Sequence, residues 1–164
     1  MQNITKDAVT ALKAAFAHVP RPKEGEVHEI SLDYPEVARD IFMGQPLEDI
    51  TLGQVWMHGD VLHWFNPGAF LYFLPRLAEL CLLGPEDEAL ELFSSIEYTF
   101  LDPSSPENKH APHQGRVKAL AALMTPAMRS AVAKFLRAFY EMYPGVGDLQ
   151  EYWVKEEDAG QDEE

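Results

Sequence analysis

The sequence predicts a mainly α-helical protein, a single-domain bundle of six to seven helices around a buried central helix. Apolar residues recur at three- and four-residue intervals, proline and glycine fall between those stretches, and one segment is apolar on all sides. We expect one domain over residues 1–154 and a solvated acidic tail over 155–164. A chain of 164 residues can bury roughly two thirds of its unfolded surface.

The predicted central helix covers residues 66–83. Asn66 is suited to accept the free N–H groups of a first helical turn, and Pro67 has the backbone angle of the first helical position. Residues 70–74 are apolar or aromatic on every side, which is typical of a helix inside a protein. Pro75 either kinks this helix or ends and restarts it, because proline has no N–H to donate.

Four elements are expected before the central helix. The first is an amphipathic helix with Thr5 as its cap, stopped by two prolines and a glycine in residues 20–25. Apolar and polar residues alternate near residues 27–32, which predicts a short extended segment. Asp49 or Thr51 is placed to cap the last of the four. The elements are a helix over 5–19, the extended segment over 27–32, a helix over 35–43 and a helix over 51–65.

Three helices are expected after the central one, over 86–98 or beyond, 113–124 and 125–143. The first opens on three carboxylates, which the helix dipole favours in a first turn. The proline-rich residues 102–112 predict the longest loop. Thr125 and Pro126 cap and start the last long helix, which Pro144 and Gly145 end. Residues 149–154 can add one or two turns.

The formal net charge is −14. A charge of this sign and size opposes binding to nucleic acid or to an anionic membrane and attracts a basic partner. The simpler interpretation is that the acidity only keeps the protein in solution.

Charged residues also fall in blocks along the chain. Residues 77–108 contain eight acids and no Lys or Arg, whereas residues 109–140 contain six bases and no acid. One explanation is internal, with basic helices packed across the acidic one and ion pairs at the rim. The other is that two oppositely charged faces are offered to a partner. We expect the internal arrangement, since a hairpin-like chain order brings the blocks together.

The expected location is the cytoplasm. The first residues lack the basic-then-apolar layout of a secretory signal, and no apolar run has the length of a membrane span. The single cysteine, Cys81, excludes an internal disulfide and lies among leucines. That setting is consistent with a reducing compartment.

Two stretches resemble a bacterial family known as a domain of unknown function. Its central motif, apolar-x-Pro-x-Ala-Phe-x-Tyr-aromatic-Leu-Pro, is similar to residues 65–75, and its C-terminal helix, which begins Leu-Thr/Ser-Pro, is similar to residues 123–137. The opening residues 14–22 also resemble the start of that family. The resemblance extends to about residue 143. It implies a small helical bacterial domain and assigns no catalytic residue.

Little in the sequence points to catalysis or to a cofactor. His110 and His113 are three residues apart and could bind zinc with a third ligand, but the pattern is weak. His58 and His63 are five apart, a spacing that separates them around a straight helix. Cys81 is expected to be a packed core thiol with a raised pKa. Phosphate-loop, dinucleotide-binding and nucleophile-elbow motifs do not occur.

The predicted function is therefore that of a small non-enzymatic binding protein, similar to an immunity protein or antitoxin, that occludes a basic partner. The expected contacts are Glu86, Asp87, Glu88, Glu91, Asp60 and Trp64, together with acids of the tail. A metal-binding protein or enzyme with a site near His110 and His113 is the first alternative. The second is a homodimer formed through an aromatic cluster otherwise expected in the core. That cluster is Trp56, Trp64, Phe65, Tyr72 and Phe73.

Overall fold

A computed structural model describes residues 2–27, 36–99 and 118–145. Apart from an isolated bridge at Phe65, the regular secondary structure of these ranges is helical, so the predicted mainly α-helical fold is confirmed. The α-helices are α1 (Gln2–Phe16), α2 (Glu36–Met43), α3 (Leu52–Val55), α4 (Pro67–Leu83), α5 (Glu86–Thr99), α6 (described over 118–123) and α7 (Pro126–Met142). Short 3₁₀ helices cover Glu24–Glu26, Leu47–Asp49 and Trp56–Trp64.

Several predicted features lie outside the described ranges. They are the extended segment beyond Val27, the loop over 102–112, the start of the helix over 113–124, and residues 149–164. Within the described ranges, we find no helix with the length and apolar character needed to cross a bilayer.

The chain divides into two compact units, one made of Met1–His18 and Leu101–Glu164 and the other of Val19–Phe100. In the first unit, α1 packs along α7. The buried stripe of α1 contains the predicted Val9, Leu12 and Phe16. The buried stripe of α7 has helical spacing as well and includes Met128, Val132, Phe135, Leu136 and Phe139.

Thr5 does not begin α1, and the predicted cap is wrong. The helix starts at Gln2, and Thr5 lies inside it as a buried polar residue. Its hydroxyl donates to the sulfur of Met142 on α7, with an Oγ1–Sδ distance of 3.7 Å. A tertiary partner therefore accounts for the hydroxyl that the sequence pattern assigned to capping.

Both ends of α7 follow the sequence signals. The Oγ1 of Thr125 accepts from the N–H of Met128 at 3.2 Å, and Pro126 occupies the first helical position. Beyond the C-terminal end, Gly145 has a φ of 104°. Residues other than glycine rarely adopt this backbone conformation, because their Cβ is crowded there.

The second unit is built around α4. Ten of its residues are buried, among them Phe70, Phe73 and Leu77, and the helix continues through Pro75 without a break. Phe73 belongs to a ring cluster with Phe42 and Phe65, in which the centroids lie 5.0 to 5.6 Å apart. The predicted buried central helix is confirmed.

Asn66 occupies the position before α4, but its side chain makes no capping bond, so this part of the prediction is wrong. Its Nδ2 donates instead to the carbonyl of Glu26 at 2.5 Å, and its backbone N–H donates to the carbonyl of Val27 at 2.8 Å. Asn66 thus attaches the start of α4 to the segment that follows Pro22.

A half-buried arginine holds α4 to the preceding segment. The Nε and one terminal nitrogen of Arg76 both donate to the carbonyl of Ile50, at 2.9 and 2.7 Å. The other terminal nitrogen donates to Glu79 at 2.8 Å. The planar guanidinium can make these bonds together because its donors are fixed in a fork.

The single α-helix predicted over residues 51–65 is wrong. Thr51 precedes a four-residue α-helix, α3, and Gln54 accepts from the Thr51 N–H and hydroxyl at 2.9 and 3.0 Å. From Trp56 to Trp64 the chain is a 3₁₀ helix, interrupted at His58 by non-helical backbone angles. This stretch is called the 3₁₀ segment below.

Candidate functional site

The candidate site is the solvent side of α5. Ala89, Leu92, Phe93 and Ile96 are buried at helical spacing and fix which side of the helix faces the core. The opposite stripe, called the α5 face below, is exposed and consists of Asp87, Glu91, Ser94 and Tyr98. Their spacing of four, three and four residues places them in one row along the helix.

The N-terminal half of the α5 face is acidic. Asp87 and Glu91 belong to it, Glu86 beside it is exposed, and Glu88 is half-buried. Within the part of the chain that the structure describes, no ion pair includes any of these four carboxylates. Carboxylates in this state are hydrated and available to an incoming cation, so this half of the face is suited to attract positive charge.

The C-terminal half of the α5 face consists of Ser94 and Tyr98 and is called the aromatic half below. Tyr98 is 42% exposed, and its ring meets that of His63 edge-on, with centroids 4.8 Å apart and an interplanar angle of 78°. Trp64, the next residue of the 3₁₀ segment, is 48% exposed. Exposed Trp and Tyr rings offer large rigid contact areas and are frequent anchors of protein interfaces.

A close approach between backbone and side chain positions the 3₁₀ segment against α5. A Cβ built on Gly59 would lie 2.5 Å from the Oγ of Ser95 and 3.1 Å from its Cβ. Gly59 is buried, whereas Asp60, the next residue, is exposed. The absence of a side chain at residue 59 thus lets the segment that contains His63 and Trp64 lie directly on α5.

The predicted aromatic cluster is divided between core and surface. Phe65 and Phe73 are buried, Trp56 and Tyr72 are half-buried, and Trp64 is exposed. The core interpretation therefore holds for part of the cluster, and the interpretation as a partial surface patch holds for Trp64. Met57, which the sequence reasoning did not select, is 62% exposed on the same 3₁₀ segment.

The irregular backbone of this stretch explains why the apolar spacing did not predict the exposure of Trp64. The chain changes from an α-helix to a 3₁₀ helix after Val55, and His58 has non-helical backbone angles. An α-helix turns about 100° per residue and a 3₁₀ helix about 120°. A regular α-helical spacing over residues 51–65 therefore does not determine which side chains of this stretch face solvent.

The selected acids all reach the surface at least in part, since Glu86, Asp87, Asp60 and Glu91 are exposed and Glu88 is half-buried. The reasoning missed Ser94, Tyr98 and His63. The row from Asp87 to Tyr98 could have been predicted from its helical spacing. The contact of Tyr98 with His63 could not, because it depends on the packing of two separate segments.

Neither metal binding nor a reactive thiol gains support from the described residues. His110 and His113 lie outside them. Inside them, no group of three or more His, Cys, Asp or Glu side chains could hold a metal ion. Cys81 is buried, and burial raises the pKa of its thiol well above the ordinary value, as the sequence predicted.

The second unit also contains a cavity of about 320 Å³ beside the start of α4. Arg21, Lys23 and Glu26 line it with opposite charges. The guanidinium of Arg21 donates to the carbonyls of Met43 and Gln45 at 3.0 and 3.1 Å, and Lys23 pairs with Glu26 at 4.0 Å. Arg21 therefore links its segment to the end of α2, and Lys23 and Glu26 form a local pair.

Comparisons of this chain with family models, with curated proteins and with solved structures find no match.

Proposed function

We propose that this chain is a small acidic binding protein, similar in role to an immunity protein or antitoxin, that occludes a basic protein partner with the α5 face. The main support is a row of exposed residues with a tyrosine at one end and, at the other, carboxylates that form no ion pair with any residue the structure describes. Such a surface can block a partner's site by covering it.

The two halves of the face contribute to binding in different ways. Carboxylates steer a basic partner and raise its rate of encounter, an effect that weakens with ionic strength. Tyr98 and Trp64 supply apolar area that is removed from water in the complex, so they contribute more to the lifetime of the complex than to its rate of formation.

The formal net charge of −14 disfavours nucleic acid as the partner, because phosphates repel carboxylates. We place the interaction in the cytoplasm, where a reduced thiol such as Cys81 is stable.

The experiment is a low-salt affinity capture from bacterial lysate with three forms of the protein. These are the wild type, the double variant Asp87→Asn/Glu91→Gln, and the control Glu48→Gln/Asp49→Asn. Both variants remove two negative charges, but Glu48 and Asp49 are exposed in another 3₁₀ helix. We expect the wild type and the control to capture a basic protein. The Asp87→Asn/Glu91→Gln variant should capture less of it.

Two results would contradict the proposal. The first is that no basic protein is recovered at low salt. The second is that the two double variants lose the same amount of binding, since that would make the effect one of total charge. The captured protein should also be released by added salt, because the contribution of exposed charges is screened.

The exposed Met57, Trp64 and Tyr98 favour one other candidate, a homodimer that buries these side chains. Light scattering on the purified wild type tests it. A dimer that becomes monomeric on Trp64→Ala or Tyr98→Ala would support this second function and would weaken the first.

A further inference from the structure

We propose that the α5 face binds an amphipathic helix of the partner on which the Lys or Arg side chains and a large apolar side chain lie at opposite ends. This inference rests on the proposed function and specifies the form of the partner's binding element. Charge complementarity selects this partner. The acidic half of the face attracts Lys or Arg side chains, whereas the aromatic half has no charge to attract them and is suited to an apolar side chain.

The length of the face defines the length of the partner element. Asp87 and Tyr98 are eleven residues apart on one helix, which corresponds to about 16 Å of helix axis. A helix packed alongside α5 needs about three turns to cover that distance. Its basic side chains would lie near Asp87 and Glu91, and its apolar side chain near Tyr98.

The form of the exposed surface favours a helix over a strand. The α5 face is the side of a helix, whose backbone N–H and C=O groups are paired within the helix. It therefore offers no ladder of free backbone groups to which a strand could add. Recognition has to use side chains projecting from a ridge, and a second helix presents side chains at the same spacing of three and four residues.

The inference requires that charged contacts and apolar contacts lie at opposite ends of the face. The exposed carboxylates Asp87 and Glu91 lie in the first half of α5, whereas Tyr98 lies in its last turn against His63. A partner with an apolar residue between its basic residues would place that residue over carboxylates. It would lose part of the apolar contact and would desolvate charge without compensation.

Three dye-labelled synthetic helical peptides test this inference by fluorescence anisotropy at low salt. The separated peptide has Lys and Arg in its first turns and a Leu in its last turn. The mixed peptide has the same composition with the Leu between the basic residues. The anchorless peptide is the separated one with Leu replaced by Ala.

We expect the separated peptide to bind about tenfold more tightly than the mixed or anchorless peptide. Tyr98→Ala should remove this advantage and leave the affinity for the anchorless peptide unchanged. Asp87→Asn/Glu91→Gln should weaken all three peptides by about fivefold. Glu48→Gln/Asp49→Asn, the control, should leave the order of the three affinities unchanged. Circular dichroism checks that each variant is folded, and Tyr98→Gln, which also removes the ring, replaces Tyr98→Ala if the latter unfolds.

Equal binding of the separated and mixed peptides, with selective loss on Asp87→Asn/Glu91→Gln, would overturn the arrangement and leave the proposed function standing. Peptides that bind the wild type and Asp87→Asn/Glu91→Gln equally well would instead count against the proposed function itself. The wild type could also form a dimer that the peptides do not dissociate. If Tyr98→Ala makes that dimer monomeric, the face binds a second copy of this chain and the inference is overturned.

Discussion

Gly59→Ala tests whether the close approach of the 3₁₀ segment to α5 contributes to the stability of the second unit. The added Cβ would lie 2.5 Å from the Oγ of Ser95 and 3.1 Å from its Cβ. Rotation of the serine hydroxyl relieves the first contact. It does not relieve the second, because the position of the Cβ is fixed by the backbone of α5, so the two segments have to separate by a few tenths of an ångström.

The expected cost can be estimated from two opposing effects. Overpacking a closely packed site destabilises by about 1 to 3 kcal/mol, whereas replacing glycine by alanine stabilises by about 0.5 to 1 kcal/mol where the backbone conformation allows it. Gly59 has no positive φ, so the second effect applies. The two effects together give a net loss of about 0 to 2.5 kcal/mol in the free energy of unfolding, so Gly59→Ala should be less stable by about 1 to 3 kcal/mol than a glycine-to-alanine variant that meets no contact.

Gly53→Ala provides the matched control. A Cβ built on Gly53 meets nothing within 4 Å, and this glycine lies in α3, so the substitution should leave stability unchanged or raise it. Urea unfolding followed by circular dichroism measures both variants. If Gly59→Ala is as stable as Gly53→Ala, the close approach does not constrain the structure and the reasoning is wrong. In a Ser95→Ala background the cost of Gly59→Ala should fall without vanishing, since only the contact with Oγ is removed.

Substitutions at three other residues test single features of the two units. Arg76→Lys should destabilise by about 1 to 3 kcal/mol in urea unfolding, because an ammonium cannot reproduce the paired bonds to the carbonyl of Ile50. Thr125→Ala should lower the free energy of unfolding by about 1 kcal/mol, because it removes the hydrogen bond from the N–H of Met128. Thr125→Ser keeps a hydroxyl at this position and should retain the stability of the wild type. Burial raises the pKa of the Cys81 thiol, so native protein should resist alkylation at pH 8. Because burial favours the neutral thiol in the folded protein, its contribution to stability should be lost as the pH rises above the pKa of the thiol in the unfolded chain. Urea unfolding across this pH range measures the loss, and Cys81→Ala should remove the part that the thiol causes.

The helices with local start and stop signals were predictable from the sequence. Thr125 and Pro126 begin α7, and Gly145 follows its end with positive φ. The apolar stretch around Phe70 is the buried central helix that its composition indicated. These features depend on neighbours within a few residues, so a single sequence contains the information that determines them.

The predicted roles of two polar residues were wrong for a shared physical reason. Thr5 and Asn66 both have side chains suited to capping, but Thr5 donates to Met142 and Asn66 donates to Glu26. The partners are 137 and 40 residues away along the chain. Capping preferences describe what a side-chain oxygen can accept in isolation, whereas in the fold the donor group of each side chain is directed to a distant acceptor, which sets the orientation of the side chain.

The acidic and aromatic ends of the site differ in how far the sequence could predict them. Asp87 and Glu91 are exposed because the buried stripe of α5 determines which side of the helix faces water, and that stripe is visible in the spacing. The exposure of Trp64 could not be predicted in this way, because the chain changes helix type after Val55 and is non-helical at His58, and nothing in the apolar spacing signals these changes. The close approach of Gly59 to Ser95 lets the 3₁₀ segment lie on α5, and His63, whose ring meets that of Tyr98, belongs to this segment. Gly59→Ala should therefore disturb binding at the aromatic end of the α5 face more than binding at the acidic end.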